Sequence, residues 1–148
     1  MNDKVFNNEE FNASCEKIIE VLKNDVFANY LGVEFMEVKS GYVKAGIPFS
    51  DKVKNCYGTT HGGALYALAD IVAGSLACMS GYFCTTVSGN LNYLLPAVSK
   101  DYIYLEAKTA REGSHLVVVN VELKDDEGKL LDNGSFTFFK LDKKVLES

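Results

Sequence analysis

The segment NCYGTTHGGALYALADIVAGSLACMS, residues 55–80, joins a polar loop to an apolar run of helical length that holds one charge, Asp70. A pair of glycines opens the run at Gly62, and Gly81 stands just beyond it. The apolar run and the glycines at its two ends predict a helix over about 62–80. Because the helix is apolar on nearly all sides, it needs cover all round. We therefore expect either that a sheet wraps it or that a second chain covers its remaining face.

Outside this segment the patterns indicate two helices and then mostly strands. Apolar residues recur at helical spacing over about 8–23, and a second short helix is predicted over 26–31, before Gly32. Strands are predicted at 32–38 and 42–49, joined by a Ser40-Gly41 turn, and after the central helix at 84–96, 101–111, 116–124 and 130–141. This order predicts an α+β fold with an antiparallel sheet against one main helix. We expect a single domain over residues 1–148, with a helical extension at about 1–31.

Composition and charge argue against several classes of protein. The chain has 148 residues and a net charge of −5, and Arg111 is its single arginine, so no nucleic-acid partner is expected. The N-terminus lacks a signal-peptide pattern and no apolar stretch is clean enough to span a membrane, so we expect a cytoplasmic protein without a membrane partner. The four cysteines form no CxxC pair and the two histidines have no zinc-site spacing. We therefore expect neither a metal nor a cofactor.

The start of the central helix has the features of an oxyanion site. The first N–H groups of a helix have no internal partner and carry partial positive charge. Gly62 and Gly63 have no side chains to shield these groups, so a ligand oxygen is able to approach the backbone closely. The alternative is that the glycines serve only a tight turn or close packing.

Asp70 is the single charge of the central helix, and two interpretations of it stay open. A carboxylate buried there is costly unless it is paired or hydrogen-bonded, which suits either a reactive group or a structural one bonded to another element. Gly62 and Asp70 are eight residues apart, which is about 12 Å along a helix, so one carbonyl does not contact both in one chain. If both act on one substrate, Asp70 comes from a second copy. Two antiparallel helices in a two-fold dimer would give two equal composite sites.

The spacing within this segment resembles a known family. Asn55, five residues, His61-Gly62-Gly63, six residues and then Asp70 are similar to the signature of the hotdog-fold acyl-CoA thioesterases, in particular the phenylacetate-pathway type. The segments VSGNLNYLLPA, AREGSHLVVVNVEL and GKLLDNGSFTFF resemble the strands that follow in that family. The resemblance covers roughly residues 30–141.

The resemblance implies a fold, an assembly and a role for each matched residue. The fold is a long helix wrapped by a curved antiparallel sheet, in a homodimer that often pairs into a homotetramer. The N–H of Gly62 would hold the thioester oxygen, and Asp70 of the facing subunit would act as general base or nucleophile. Asn55 would place the water or the carbonyl, and Ser88, eighteen residues after Asp70, would hold the water. His61 would orient the loop or polarise the carbonyl.

Further residues are expected to contact the substrate, with coenzyme A as part of that substrate. Gly63 stands beside the oxyanion position, and the resemblance implies that Arg111 meets the coenzyme A phosphates, with a solvated hairpin charge as the alternative. Four aromatic residues are candidates for an acyl or aryl pocket, with core packing as the alternative: Tyr66, Tyr82, Phe83 and Tyr93.

Hydrolysis of an acyl-CoA or aryl-CoA thioester is the function that this pattern favours. A hotdog dehydratase or hydratase is one alternative, although such enzymes pair a catalytic histidine with a carboxylate at a different spacing. A non-catalytic acyl-CoA-binding or sensing protein is the other, although the loss of Asp70 or Asn55 would be its expected mark. Thiol release separates the enzyme from the sensor.

Overall fold

The computed structural model describes residues 8–147 and contains three α-helices and six strands. In chain order the elements are α1 (Asn8–Lys23), α2 (Val26–Leu31), β1 (Glu34–Lys39), β2 (Tyr42–Pro48), α3 (Gly62–Cys78), β3 (Tyr82–Tyr93), β4 (Tyr102–Glu112), β5 (Leu116–Lys124) and β6 (Leu130–Lys144). The predicted α+β composition and each predicted helix and strand are confirmed. Residues 1–7 of the predicted helical extension lie outside the described part of the chain.

The six strands form one antiparallel sheet in the order β1-β2-β4-β5-β6-β3. Gly41, with φ of 74°, makes the tight turn between β1 and β2, which the sequence predicts. β3 does not pair with β4 or β5, the next two strands along the chain. It lies beyond β6 at the edge of the sheet, so one of its long sides has no strand partner among the described residues.

The sheet curves around α3, and the core lies between them. Leu65, Leu68 and Val72 of α3 are buried against the inner face of the sheet, which includes Phe136 and Phe138 of β6. This packing explains why α3 is apolar on most of its surface, because strands contact it along most of its circumference. The expectation that a sheet wraps the helix is confirmed.

One stripe of α3 remains uncovered by the sheet. It runs along Gly63, Ala67 and Asp70, which follow one another at helical spacing and are all at least partly exposed. The expectation that Asp70 is buried is therefore wrong for a single chain: its side chain is half-buried, because it lies on this open stripe at the edge of the sheet.

The two N-terminal helices pack at one side of the sheet. Cys15 and Ile18 of α1 join the core, and α2 ends where Gly32 adopts the left-handed conformation, with φ of 77°. No helix within residues 8–147 is both long and apolar enough to cross a membrane.

Candidate active site

The first turn of α3 leaves one backbone donor free. His61 is the N-cap, and its Nδ1 accepts the N–H of Gly63 at 2.9 Å, while the N–H of Ala64 donates to the His61 carbonyl at 2.9 Å. The N–H of Gly62 donates to no acceptor within residues 8–147. Because the partial charges of a helix N-terminus concentrate on such unpaired groups, Gly62 is the donor available to a developing oxyanion.

This geometry bears on two of the predicted residues. The N–H of Gly63 is occupied by His61 and is not a free donor, and a contact between Gly63 and a substrate stays a prediction. The ring of His61 caps the helix, an arrangement that fits the loop-orienting alternative of its two predicted roles.

Tyr93 of β3 holds the start of α3 from the side. Its hydroxyl donates to the carbonyl of Gly62 at 2.8 Å. A Cβ at Gly62 would lie 3.3 Å from the Tyr93 ring, a contact tighter than most. Gly62 therefore lets the helix start approach Tyr93 closely, and the predicted pocket residue Tyr93 has a positioning contact that sequence reasoning missed.

Asp70 has one hydrogen-bond partner in the described chain. The hydroxyl of Thr86, on β3, donates to Asp70 Oδ1 at 2.7 Å. Asp70 Oδ2 accepts no hydrogen bond from residues 8–147, so it is available to a water or a substrate. A hydrogen bond to one carboxylate oxygen fixes the direction in which the other points. Thr86 is thus a further residue of the site that the sequence pattern did not single out.

Ser88 lies on the other face of β3. The register shifts between Thr86 and Ser88, so Thr86 pairs with Phe138 on the inner face whereas Ser88 pairs with Thr137, which alternates with the inner residues. This bulge reverses the facing that simple alternation would give. The register does not bring Ser88 to Asp70 within one chain, and its role as a water ligand stays a prediction.

Asn55 organises the loop before α3. Its Oδ1 accepts the N–H groups of Tyr57 at 2.9 Å and Thr59 at 3.2 Å, and its Nδ2 donates to Thr59 Oγ1 at 2.8 Å. Both ends of the side-chain amide are therefore engaged in the loop. The loop is further fixed where the N–H of His61 donates to the Val53 carbonyl at 2.7 Å. Placement of a water or carbonyl by Asn55 stays a prediction.

Gly62 and Asp70 lie on one helix and are separated along it. Eight residues of α3 correspond to about 12 Å, as expected from the sequence. Both are partly exposed, and Gly62 contacts Tyr93, which is one of the exposed apolar residues of β3. A single chain therefore presents the donor and the carboxylate at two separate positions on one open face.

Arg111 lies at the opposite end of α3 from Gly62. It is exposed near the end of β4, and its neighbours Thr109 and Glu112 share a cavity with Leu76 and Met79 at the end of α3. Within one chain the structure does not bring Arg111 to Gly62. A contact between Arg111 and a substrate phosphate stays a prediction.

Asp132 of β6 is a buried carboxyl group that sequence reasoning missed. It is fully buried, and both of its oxygens lack a hydrogen-bond partner within residues 8–147. Burial raises the pKa of the Asp132 carboxyl to about 6. The sequence did contain a signal for this burial, because alternate residues of a strand face the same side. Asp132 is separated by an even number of positions from Phe136 and Phe138, which face inward.

Comparison with known proteins identifies the family. The sequence profile of the Thioesterase superfamily matches residues 57–131, which contain α3 and the strands β3, β4 and β5. The acyl-coenzyme A thioesterase PaaI of Escherichia coli is 25% identical over 108 residues, which cover 72% of this chain and 76% of PaaI. A Saccharolobus solfataricus protein, provisionally named an esterase, is 31% identical over 110 residues, which cover 73% of this chain and 78% of that protein.

Solved structures agree on the fold. The E. coli PaaI structure superposes with a TM-score of 0.81 at 18% identity, covering 88% of this chain and 98% of PaaI. A hypothetical thioesterase of Streptococcus pneumoniae, solved with coenzyme A, gives a TM-score of 0.78 at 22% identity, covering 84% of this chain and 98% of that one. The long helix wrapped by a curved antiparallel sheet, the free donor at its start and the profile match agree with the resemblance stated above. The chain belongs to the thioesterase superfamily and has its hotdog fold.

Proposed function

We propose that this protein hydrolyses acyl-CoA or aryl-CoA thioesters at a site formed by two copies of the chain. The observation that carries the proposal is the pairing of an unoccupied N–H at Gly62 with an oriented carboxylate at Asp70 on one open helix face. Thioester hydrolysis needs an oxyanion donor and an activated water, and these two groups supply them. Because they are about 12 Å apart in one chain, a second copy is needed to bring a Gly62 beside an Asp70.

The proposed reaction uses few groups. Asp70 Oδ2 takes a proton from a water as the water attacks the thioester carbonyl, while Thr86 holds Oδ1. The carbonyl oxygen becomes an oxyanion that accepts the N–H of Gly62. The tetrahedral intermediate then expels the coenzyme A thiolate and leaves the carboxylic acid. Direct attack by Asp70 on the carbonyl, through a mixed anhydride, is the other route to the same products.

Two features of the chain support the dimer. β3 is one of the two edge strands, and one of its long sides has no strand partner in the described chain, so it is able to pair with another copy. The small residues Gly63 and Ala67 of α3 lie on its open stripe and allow close approach of a second helix. A two-fold axis through this face would make two equal sites. A homotetramer made from two such dimers is part of the same proposal.

The substrate class rests on the relatives. PaaI is named an acyl-coenzyme A thioesterase, and the S. pneumoniae structure holds coenzyme A. We extend this ligand to the present chain, with Arg111 as a candidate contact for the coenzyme A phosphates. A cytoplasmic location, without a metal or a further cofactor, completes the proposal.

The first test measures free thiol released from a panel of acyl-CoA and aryl-CoA esters. Wild type should turn over at least one ester, and Asp70→Asn should lose about a hundredfold or more in kcat. Asp142→Asn, which changes an exposed aspartate of β6, is the matched control and should retain wild-type rates. Tight binding without turnover would instead favour a sensing protein, and water addition to an enoyl-CoA would favour a hydratase.

The composite site has its own test. Gly62→Pro removes the N–H of Gly62, so this variant and Asp70→Asn should each be nearly inactive. When equal amounts are unfolded together and refolded, random pairing gives half heterodimers, each with one intact site, so about a quarter of wild-type activity should return. No recovery, with heterodimers shown by mass, would place donor and carboxylate within one chain and refute the composite site.

A further inference from the structure

Asp132 is a carboxyl group that the proposed reaction does not use. It is fully buried on the inner face of β6, and neither of its oxygens has a hydrogen-bond partner within residues 8–147. Carboxyl groups in this state are unfavourable and uncommon in folded proteins, so the position calls for an explanation. The location of Asp132 in the fold suggests an explanation.

Asp132 is paired with a residue that contacts the start of α3. Its partner across the strands is Tyr93 of β3, so both side chains lie on the inner face of the sheet. The Tyr93 hydroxyl donates to the Gly62 carbonyl at 2.8 Å. Gly62 is the residue whose N–H is the proposed oxyanion donor. Cross-strand pairing therefore links Asp132 to Tyr93, and a hydrogen bond links Tyr93 to the proposed oxyanion site.

The titratable groups around Asp132 are tyrosines. Burial, then the Asp132 carboxylate and then Tyr66 of α3 raise the pKa of Tyr93. The partner of Asp132 on β5 is Leu123, which is apolar. His61 is exposed and its Nδ1 is bonded to Gly63. Burial is the single cause that raises the pKa of Asp132, so no cation compensates its charge.

Tyr93 has one proton to donate, and this makes the arrangement sensitive to the state of Asp132. A neutral carboxyl leaves the Tyr93 hydroxyl bonded to the Gly62 carbonyl, whereas a carboxylate is the stronger acceptor and competes for the same proton. We propose that Asp132 is a positioning residue for the oxyanion site, which acts through Tyr93: its neutral form keeps the first turn of α3 fixed, and its ionised form loosens it. This inference rests on the proposed function, because it assigns the N–H of Gly62 to the oxyanion.

The kinetic test compares pH profiles of kcat from pH 5 to pH 8. At each pH the kcat of wild type is divided by the kcat of Asp132→Asn. This ratio removes the effect of Asp70 ionisation, because both proteins contain Asp70. The ratio should fall about fivefold across this range, the size expected for one neutral hydrogen bond. The ratio of Tyr93→Phe to the double variant Tyr93→Phe/Asp132→Asn should stay constant, because no hydroxyl remains to respond. Asp142→Asn should follow the wild-type profile. A constant ratio of wild type to Asp132→Asn would overturn the proposal.

A second measurement does not depend on enzyme activity. It therefore distinguishes a failure of the proposed function from a failure of the positioning role of Asp132. The amide signals of Gly62 and Gly63 should move with pH at the midpoint of the Asp132 carboxyl, and this movement should vanish in Tyr93→Phe, which changes a ring that is 53% exposed and so should fold. If no thioester is hydrolysed but the movement is present, the proposed function fails and the coupling stands. If esters are hydrolysed and the signals do not respond to Asp132, the positioning role is refuted and the enzyme stands.

Discussion

Replacement of Gly62 by proline isolates a single hydrogen-bond donor. Gly62 is the first residue of α3, a position that proline favours because its N–H has no helical partner. The preceding residue, His61, has φ of −59° and ψ of 132°, a conformation that residues before proline readily adopt. Gly62→Pro should therefore fold normally and lack only the proposed oxyanion donor.

The expected loss follows from what the neighbouring N–H groups do. Those of Gly63 and Ala64 are bonded to His61, so neither is free to replace the one removed. Loss of one oxyanion donor costs about 3–4 kcal/mol at the transition state, so kcat for thioester hydrolysis should fall about 10²- to 10³-fold, with KM changed little.

Gly62→Ala is the matched control, because it keeps the N–H and adds a Cβ at the same place. That Cβ meets the Tyr93 ring at 3.3 Å, a contact that a small shift of an exposed ring relieves. We expect less than a tenfold loss of kcat in Gly62→Ala and an unchanged melting temperature in both variants. If Gly62→Pro is folded and as active as Gly62→Ala, the assignment of the oxyanion donor is wrong.

Three further predictions follow from other contacts. Thr86→Val removes the hydrogen bond that orients Asp70 and should lower kcat about tenfold, whereas Thr85→Val, on the outer face, should leave it unchanged, and equal effects would contradict the orienting role. The pKa of Asp132 is raised on folding to about 6 from its ordinary 3.8, so the native state binds the proton more tightly. The free energy of unfolding should then fall, by at most about 3 kcal/mol, as pH rises from 4 to 7 in urea titrations at fixed protein concentration, and Asp132→Asn should flatten this dependence. Cys56 is exposed whereas the other cysteines are buried or half-buried, so one thiol per chain should react quickly with a thiol reagent and Cys56→Ser should retain activity; four equal rates, or an inactive variant, would contradict this.

Much of the fold is predictable from local patterns. The helices and strands follow from apolar spacing and from turn residues such as Gly32 and Gly41, whose positive φ ends one element and begins the next. The place of β3 beyond β6 is not local: it depends on how the strands pack around α3, and six predicted strands do not determine that order. The family resemblance supplied the fold that the local patterns left open.

The candidate site divides in a similar way. Spacing was enough to propose Gly62 and Asp70 as candidate site residues, because a helix start and a lone charge in an apolar helix are local signals. Thr86 was missed because its contact with Asp70 joins two elements, and the bulge after it is invisible in the composition of β3. Asp132 was missed because its significance lies in the absence of partners within residues 8–147, which only the packed structure shows.

The bulge in β3 has a consequence for experiments that scan the strand residue by residue. Before Val87 the even-numbered side chains, such as Thr86, face α3; after it the odd-numbered ones do, as at Leu91 and Tyr93. Sensitivity to substitution should therefore alternate along the strand and then slip in phase by one residue at Val87. Removal of Val87 alone would restore regular alternation, because Thr86 and Ser88 would follow one another against Phe138 and Thr137, so Ser88 would stay on the outer face and Tyr93 would still face the helix.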